Sequence, residues 1–229
     1  MDNLPVEIHP VREPIQHADD SDPLTAAIHY HQLGMVEQEQ LHFDAAISLF
    51  QKSLQIFEQA GDFYNAASDY HQLGIVAQRQ RRLDDAIALF QKACQIFMEA
   101  NDSYRASYPW MGLAEIATER GELEQASNYY RQAFDARSTA EDWPRASSVL
   151  NQWAQVLETQ NQWAEAMHLY MQALSIDVEH NRHCFQLDIW DLGRMWGILG
   201  ASEFETIWLK VAGQACPEKL YAKIRASKI

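Results

Sequence analysis

The sequence predicts an all-α fold: an α-solenoid of about five helix-turn-helix repeats, closed by a helix at its carboxyl end. Three observations predict it: an internal period of forty residues, apolar residues spaced as in helices, and small residues at fixed positions of the period. One helical hairpin cannot bury its own apolar stripe, so the copies have to stack on one another.

The period is visible in two strings that begin forty residues apart. Tyr30 opens YHQLGMVEQEQLHFDAAISLFQKSLQIF, and Tyr70 opens YHQLGIVAQRQRRLDDAIALFQKACQIF. Over the forty-residue windows that begin at these tyrosines, 22 positions are identical. A third copy begins at Trp110, a fourth at Leu150, and a degenerate fifth near Trp190.

Each period contains two helices, A and B, because its apolar residues follow two helical stripes. In the second copy, Tyr70, Leu73 and Ala77 lie on the stripe of helix A, and Ala86 and Phe90 on that of helix B. The predicted repeats span about 23–61, 62–101, 102–141, 142–181 and 182–216. The tail PEKLYAKIRASKI predicts the capping helix, within 217–229.

Capping residues mark the helix boundaries. Pro23 suits the first turn of the first helix, and Gly61 and Gly121 suit helix ends that need a left-handed residue. The residues predicted to cap helix A through a side-chain oxygen are Asp22, Asp62, Asp102 and Asp142.

Small residues recur where two helices have to approach closely, and large aromatic residues follow the small residues of helix B by four positions. The small residues are Gly34, Gly74, Ala114 and Ala154 in helix A and Ala46, Ala86, Ala126 and Ala166 in helix B. The aromatic residues are Phe50, Phe90, Tyr130 and Tyr170. Small against large at fixed offsets indicates interdigitated helices. If Gly193 and Gly200 take the two glycine positions of the fifth copy, Leu209 takes the aromatic position.

The second copy resembles the tetratricopeptide repeat family through an aromatic, Leu-Gly, Ala, aromatic, Ala pattern. That pattern is Tyr70, Leu73, Gly74, Ala86, Phe90 and Ala93. The family period is about 34 residues, and the longer period here is similar to the subclass seen in kinesin light chains, G-protein-signalling scaffolds and many bacterial repeat proteins. The resemblance implies a right-handed superhelix that acts as a non-catalytic adaptor, with a peptide or a helical segment of another protein bound in a concave groove lined by helix A.

The resemblance places the binding residues on the face of helix A opposite the core stripe. They are His31, Met35 and Gln38; His71, Ile75 and Gln78; Tyr108, Met111 and Glu115; Asn151 and Gln155; Trp190 and Arg194. Amides bond a peptide backbone, whereas methionine and aromatic side chains accept apolar anchors. The alternative is that these residues form only solvated helix faces. Only Arg79 and Arg194 lie near positions that would clamp a terminal carboxylate, so we do not expect such a clamp.

Charge restricts the partners. The chain has 32 acidic and 18 basic residues, a net charge of -14, which argues against a nucleic-acid or anionic-membrane binder and favours a basic or amphipathic protein partner. Residues 1–22, predicted to be a flexible leader, contain six acidic residues and one basic residue, whereas residues 210–229 contain five basic residues and one acidic residue. A homo-oligomer is compatible with this asymmetry.

Signatures of chemistry are few. The sequence has no Gly-rich phosphate loop, Ser-His-Asp order, HExxH or CxxC pair, and we predict no enzyme, no cofactor and no metal. His31 and His71 occupy equivalent positions in two duplicated strings. The duplication alone accounts for both histidines, so they do not indicate a metal site. His180, His183 and Cys184 lie at a turn and are spaced like metal ligands. A metal site formed by these three residues is therefore kept as an alternative. A peptide-responsive regulator and a metal-dependent enzyme are the alternatives to the adaptor.

The expected compartment is the cytoplasm. Cys94, Cys184 and Cys216 stand singly and in odd number, which is not a disulfide framework. No signal peptide is visible at the amino end, and no later stretch has the length of apolar sequence that a membrane span needs.

Overall fold

The computed structural model describes residues 22–180 and 185–227. Within these ranges it contains eleven α-helices and no strand, so the all-α prediction is confirmed. None of the helices described is both long and apolar enough to cross a membrane. The chain forms two compact units, divided between Asp62 and Phe63. The predicted leader lies, except for Asp22, outside the described residues.

The described part of the first unit is one helical hairpin, in which α1 (Pro23–Glu39) packs against α2 (Phe43–Gln59). Asp22 caps α1 by accepting a hydrogen bond from the backbone N–H of Leu24 at 3.1 Å, as predicted. The hairpin closes around the fully buried ring of Phe50. A Cβ atom added to Gly34 would lie 2.7 Å from that ring, so only glycine allows this approach.

The second unit begins with six helices of 17 residues each. They are α3 (Phe63–Arg79), α4 (Leu83–Glu99), α5 (Ser103–Glu119), α6 (Leu123–Thr139), α7 (Trp143–Thr159) and α8 (Trp163–Glu179). Each packs against the next in chain order, which is the stacking expected of repeated hairpins. The predicted caps Asp102 and Asp142 accept hydrogen bonds from the backbone N–H groups of Arg105 and Arg145.

The turns repeat every twenty residues, with one left-handed residue in each. The predicted Gly61 and Gly121 have φ angles of 73° and 74°. Five residues other than glycine adopt the same conformation: Leu41, Arg81, Asn101, Glu141 and Asn161. A side chain costs roughly 1–2 kcal/mol in this region, so helix packing, and not only the turn residue, imposes the geometry.

The core of the regular repeats follows the predicted small-and-large pattern. Phe90 of α4 is fully buried between α3 and α5. A Cβ atom on Gly74 would lie 2.6 Å from its ring, and one on Gly112 would lie 2.5 Å from the other edge. Tyr130 and Tyr170 are buried in the same way in the next two copies.

The carboxyl end departs from the repeat. It consists of α9 (Phe185–Leu199), α10 (Ala201–Ala212) and α11 (Glu218–Ala226); α10 packs on α8 and α9, and α11 packs on α9. The predicted capping helix is confirmed, and its Ile224 is fully buried.

The predicted register of α10 was wrong, because Leu209 is exposed and Phe204 and Trp208 are buried instead. The physical reason is that a single residue, Gly200, joins α9 to α10, whereas three residues join the helices of the regular hairpins.

Candidate functional site

A groove of about 530 Å³ lies between α3 and α5 in the second unit. Residues three and four apart on a helix share one face, and here two such faces point towards each other. Six of the predicted binding residues line this groove: His71, Ile75 and Gln78 from α3 and Tyr108, Met111 and Glu115 from α5.

The floor of the groove is aromatic and apolar. The centre of the His71 ring lies 5.8 Å from the centre of the Phe90 ring. It lies 6.2 Å from the centre of the Tyr108 ring, in an edge-on arrangement. Phe90 reaches this position from α4 because Gly74 and Gly112 have no side chain. The groove therefore offers a firm apolar base for an anchor side chain.

The rim of the groove is polar. Gln78 donates a hydrogen bond from Nε2 to Oε2 of Glu115 at 3.0 Å, and Arg81 forms an ion pair with Glu119. Arg81 and Glu119 also line the groove but were not among the predicted binding residues. Extending the stripe from Met111 and Glu115 by one helical turn would have found Glu119, whereas Arg81 lies in a turn and leaves no periodic signal.

Tyr108 is held in place by a polar cluster next to the groove. Its hydroxyl donates to the hydroxyl of Tyr104 at 3.2 Å, and Tyr104 donates to Asp142 at 2.8 Å. These hydrogen bonds with Tyr108 and Asp142 raise the pKa of Tyr104 to about 12. The guanidinium groups of Arg137 and Arg145 lie 5.4 and 6.0 Å from the centre of the Tyr108 ring. The orientation of Tyr108 is thus fixed before any partner arrives.

Asn151 on α7 forms a hydrogen bond with another helix of the protein. It donates a hydrogen bond from Nδ2 to Oδ1 of Asp188 on α9 at 2.8 Å. Burial raises the pKa of Asp188 to about 6, which the hydrogen bond from Asn151 opposes and the nearby Asp177 and Asp191 reinforce. Gln155, the other predicted residue of α7, is exposed.

Arg194 on α9 is also engaged. Its guanidinium donates to both carboxylate oxygens of Glu158, at 2.6 and 3.0 Å, and to the hydroxyl of Tyr170 at 2.9 Å. It also lies 5.8 Å from the centre of the partly exposed Trp190 ring. A bidentate Arg–carboxylate pair fixes orientation as well as adding energy, so Arg194 ties α9 to α7.

The predicted residues of the first unit lie on α1. The ring of His31 packs 5.7 Å from that of Phe50, Met35 is exposed, and Gln38 is buried. Of these three, Met35 presents the most surface to solvent.

The candidate metal residues are only partly described. His180 stacks on Trp143 with 4.8 Å between the ring centres, whereas His183 and Cys184 lie outside the described residues. Within residues 22–180 and 185–227, no group of three or more His, Cys, Asp or Glu residues is arranged to hold a metal ion. Burial raises the pKa of the Cys94 thiol to about 12, so this thiol stays protonated.

Comparison with protein families identifies the repeats. The model described as tetratricopeptide repeat matches residues 24–99 and 105–177, which is more than half of the chain. None of the curated protein sequences matches.

Solved structures of similar architecture include nearly identical TPR-like repeats of a kinesin light chain from Podosopora anserina, with a TM-score of 0.68 and 15% identity over 90% of this chain and 96% of that one. BtubC (BKLC) from P. vanneervenii gives a TM-score of 0.68 and 20% identity over 90% and 83% of the two chains. A Rap protein complexed with competence and sporulation factor has a TM-score of 0.61 and a sequence identity of 18%. The match covers 89% of this chain and 58% of that one. At these identities the likeness concerns the fold.

Proposed function

This chain belongs to the tetratricopeptide repeat family, and on that premise we propose that it is a non-catalytic adaptor that binds a peptide or helical segment of another protein. The observation that carries the proposal is the α3–α5 groove, where two neighbouring repeats bring six predicted binding residues together. The other predicted residues, on α1, α7 and α9, stay predictions.

The chemistry of the groove suits an amphipathic segment. His71 packs on the Phe90 ring, and Ile75 and Met111 line the same groove. Together these side chains would accept an apolar anchor side chain. Gln78 and Glu115 form the rim, where amide and carboxylate groups bond a peptide backbone or a basic side chain.

Charge supports a basic partner. The net charge of -14 attracts positively charged segments over distances of about a Debye length, and it does so more strongly at low salt. The groove itself is lined by two acidic residues, Glu115 and Glu119, and by two basic residues, Arg79 and Arg81, of which Arg81 pairs with Glu119. The attraction of a basic partner therefore rests on the net charge of the whole chain. We place this interaction in the cytoplasm, where cysteines that stand singly and in odd number along a sequence are ordinary.

A peptide-responsive regulator is the second candidate. It is favoured by the similarity in fold to a Rap protein whose structure was solved in complex with competence and sporulation factor. The two candidates differ in one measurable property. In a regulator, the bound peptide changes the affinity for a second protein, whereas in an adaptor the peptide segment is itself the partner.

Peptide selection against the full chain tests the proposal. Peptides recovered from a random display library are measured by isothermal titration calorimetry against the native protein and against the double variant His71→Ala with Ile75→Ser. We expect the double variant to bind at least about tenfold more weakly, because an apolar anchor loses its contacts.

The matched control is Gln91→Ala with Gln95→Ser, two exposed positions of α4 outside the groove. This control should bind like the native protein. Equal affinity of the groove variant and the native protein, with unchanged circular dichroism, would overturn the proposed site.

A further inference from the structure

The first helix carries a largely apolar stripe that is open to solvent. This α1 stripe consists of Ala26, His29, Leu33 and Val36. Its members are spaced three and four residues apart, so they share one face of the helix. The side chain of Leu33 is 39% exposed and that of Val36 is 46% exposed.

The equivalent residues of later copies are buried. Leu113 of α5 has the repeat position of Leu33 and is only 4% exposed. Ile116 of α5 and Val156 of α7 have the position of Val36, and they are 0% and 2% exposed. The stripe therefore has the sequence pattern of a buried face, which α1 presents to solvent.

The preceding helix makes the difference. Helix α5 packs on α4 and α7 packs on α6, each on the helix before it in the chain. The Cys94 thiol of α4 lies 4.0 Å from the carbonyl oxygen of Ala106, which has the repeat position of Ala26. No helix precedes α1 in the part of the chain that the structure describes. By the logic of the repeat, the cover of the α1 stripe is to be sought in residues 1–21.

An apolar stretch with suitable spacing lies in this part of the sequence. Leu4, Val6 and Ile8 alternate with Pro5 and Glu7. Alternate side chains of an extended segment point to the same side. Three apolar side chains can therefore face α1 while the carboxylate of Glu7 faces solvent.

The stretch does not repeat a helix B. The forty-residue period would place that helix at residues 3–19, where Pro5, Pro10 and Pro14 stand. Proline inside a helix removes a backbone hydrogen bond and clashes with the preceding turn. An extended segment is the form that this sequence favours.

The chain is long enough for the stretch to return to α1. Residues 9–21 separate Ile8 from Asp22, and a stretch of this length spans up to roughly 43 Å when extended. From Asp22 to Val36, the far end of the stripe, the distance along the helix axis is roughly 21 Å. Residues 9–21 therefore suffice as a tether.

The small size of the stripe favours a tethered occupant over a second copy of the chain. One face of a 17-residue helix is roughly 25 Å long and 10 Å wide. This area is about a third of the ~800 Å² that each partner buries in a standard interface. A tethered segment is present at an effective concentration of about a millimolar, so a small contact is enough to hold it.

We propose that residues 4–8 dock as an extended segment on the α1 stripe of the same chain, with residues 9–21 as the tether. The segment takes the place of the helix that precedes helix A in the later copies. The proposal is independent of the peptide groove, which lies on α3 and α5.

Hydrogen exchange of the full chain, read by mass spectrometry on peptides from α1, tests the proposal. The leader variant Leu4→Ser with Ile8→Ser should exchange its α1 amides at least about fivefold faster than the native protein, because α1 loses its apolar cover. The matched control, Val11→Ser with Ile15→Ser, makes two similar changes in the tether and should exchange like the native protein.

A second variant addresses the other side of the contact. Leu33→Gln with Val36→Gln changes two exposed positions of the α1 stripe and should speed exchange by a similar factor. Combined with the leader variant, it should add no further loss, because both changes remove one contact. A synthetic peptide of residues 2–11 should restore slow exchange to the leader variant but not to the stripe variant.

Native exchange rates in the leader variant would overturn the proposal, and so would strictly additive losses in the combined variant. Exchange of the native α1 amides that becomes faster on roughly a hundredfold dilution would also overturn it, because a second copy would then supply the cover.

Discussion

Helices α3 and α9 each use a glycine to admit a neighbour, but the neighbours differ. At Gly74 the neighbour is the ring of Phe90, a side chain from the following helix. At Gly193 it is the end of α11, with the backbone carbonyl of Ile224 only 2.7 Å from where a Cβ atom would lie. A ring can rotate or shift, whereas the backbone of a packed helix moves only as a unit. A small residue thus decides which element packs, and the nature of that element decides how much change the position tolerates.

The connections explain why the two regions differ. In the regular repeats a three-residue turn joins consecutive helices of equal length. Between α9 and α10 the single residue Gly200, with φ 77°, makes the connection, and α10 is shorter. Helix α10 consequently packs on both α8 and α9, and α11 packs on α9.

The largest effect should come from Gly193→Ala. The new methyl group meets the backbone of α11 and the Ser227 hydroxyl, so we expect α11 to detach, with a loss of about 3 kcal/mol in the free energy of unfolding. Urea unfolding followed by circular dichroism measures the loss, and faster tryptic cleavage at Lys219 and Lys223 reports the released helix.

The matched control for this change is Gly197→Ala, an exposed position of the same helix. There the alanine should be neutral or slightly stabilising, because alanine has the higher helix propensity. If both variants unfold at the same urea concentration, the close contact between α9 and α11 does not matter for stability.

A smaller effect is expected from Gly112→Ala in the regular repeats. The methyl group meets the Phe90 ring, which Gly74 confines on its other side, and we expect a loss of about 2 kcal/mol in the free energy of unfolding. The double variant Gly112→Ala with Phe90→Leu should lose less than the sum of the two single changes, because the smaller side chain relieves the overlap. Strict additivity in urea unfolding would argue against the overlap.

The smallest effect is a pH dependence of the free energy of unfolding. It arises at Asp188 on α9, in the region that departs from the regular repeats. Because the pKa of Asp188 is about 6 when folded and near 3.9 when unfolded, the folded state binds more protons between these values. Protonation of Asp188 in the folded state therefore stabilises the protein as the pH falls from 7 through 6. This stabilisation is lost as the pH rises again through 6.

Asp188→Asn tests this assignment. The variant should be more stable than the native protein at pH 7 by on the order of 1 kcal/mol, and its stability should depend less on pH between 7 and 5. Urea unfolding at pH 7, 6 and 5 measures both quantities. Parallel pH profiles of the two proteins would show that Asp188 is not the titrating group.

The agreement between sequence and structure follows the range of the interactions. Asp102 and Asp142 cap their helices through atoms three residues away, so the local sequence is enough to predict them. Phe90 and Gly74 are sixteen residues apart but recur with the period, and repetition makes their pairing predictable. The face of helix A could be predicted for the same reason, and six of its residues meet in the α3–α5 groove.

Taken alone, the sequence determined the period, the helices, their caps and the small-and-large core, because these depend on local hydrogen bonding and on a repeated apolar spacing. Tertiary structure decided the rest. It paired Arg194 with Glu158, shifted the register of α10 so that Trp208 and not Leu209 is buried, and placed Leu41, Arg81 and Glu141 in left-handed turns. Each of these depends on where separate helices come to lie, and no single segment of the chain carries that information.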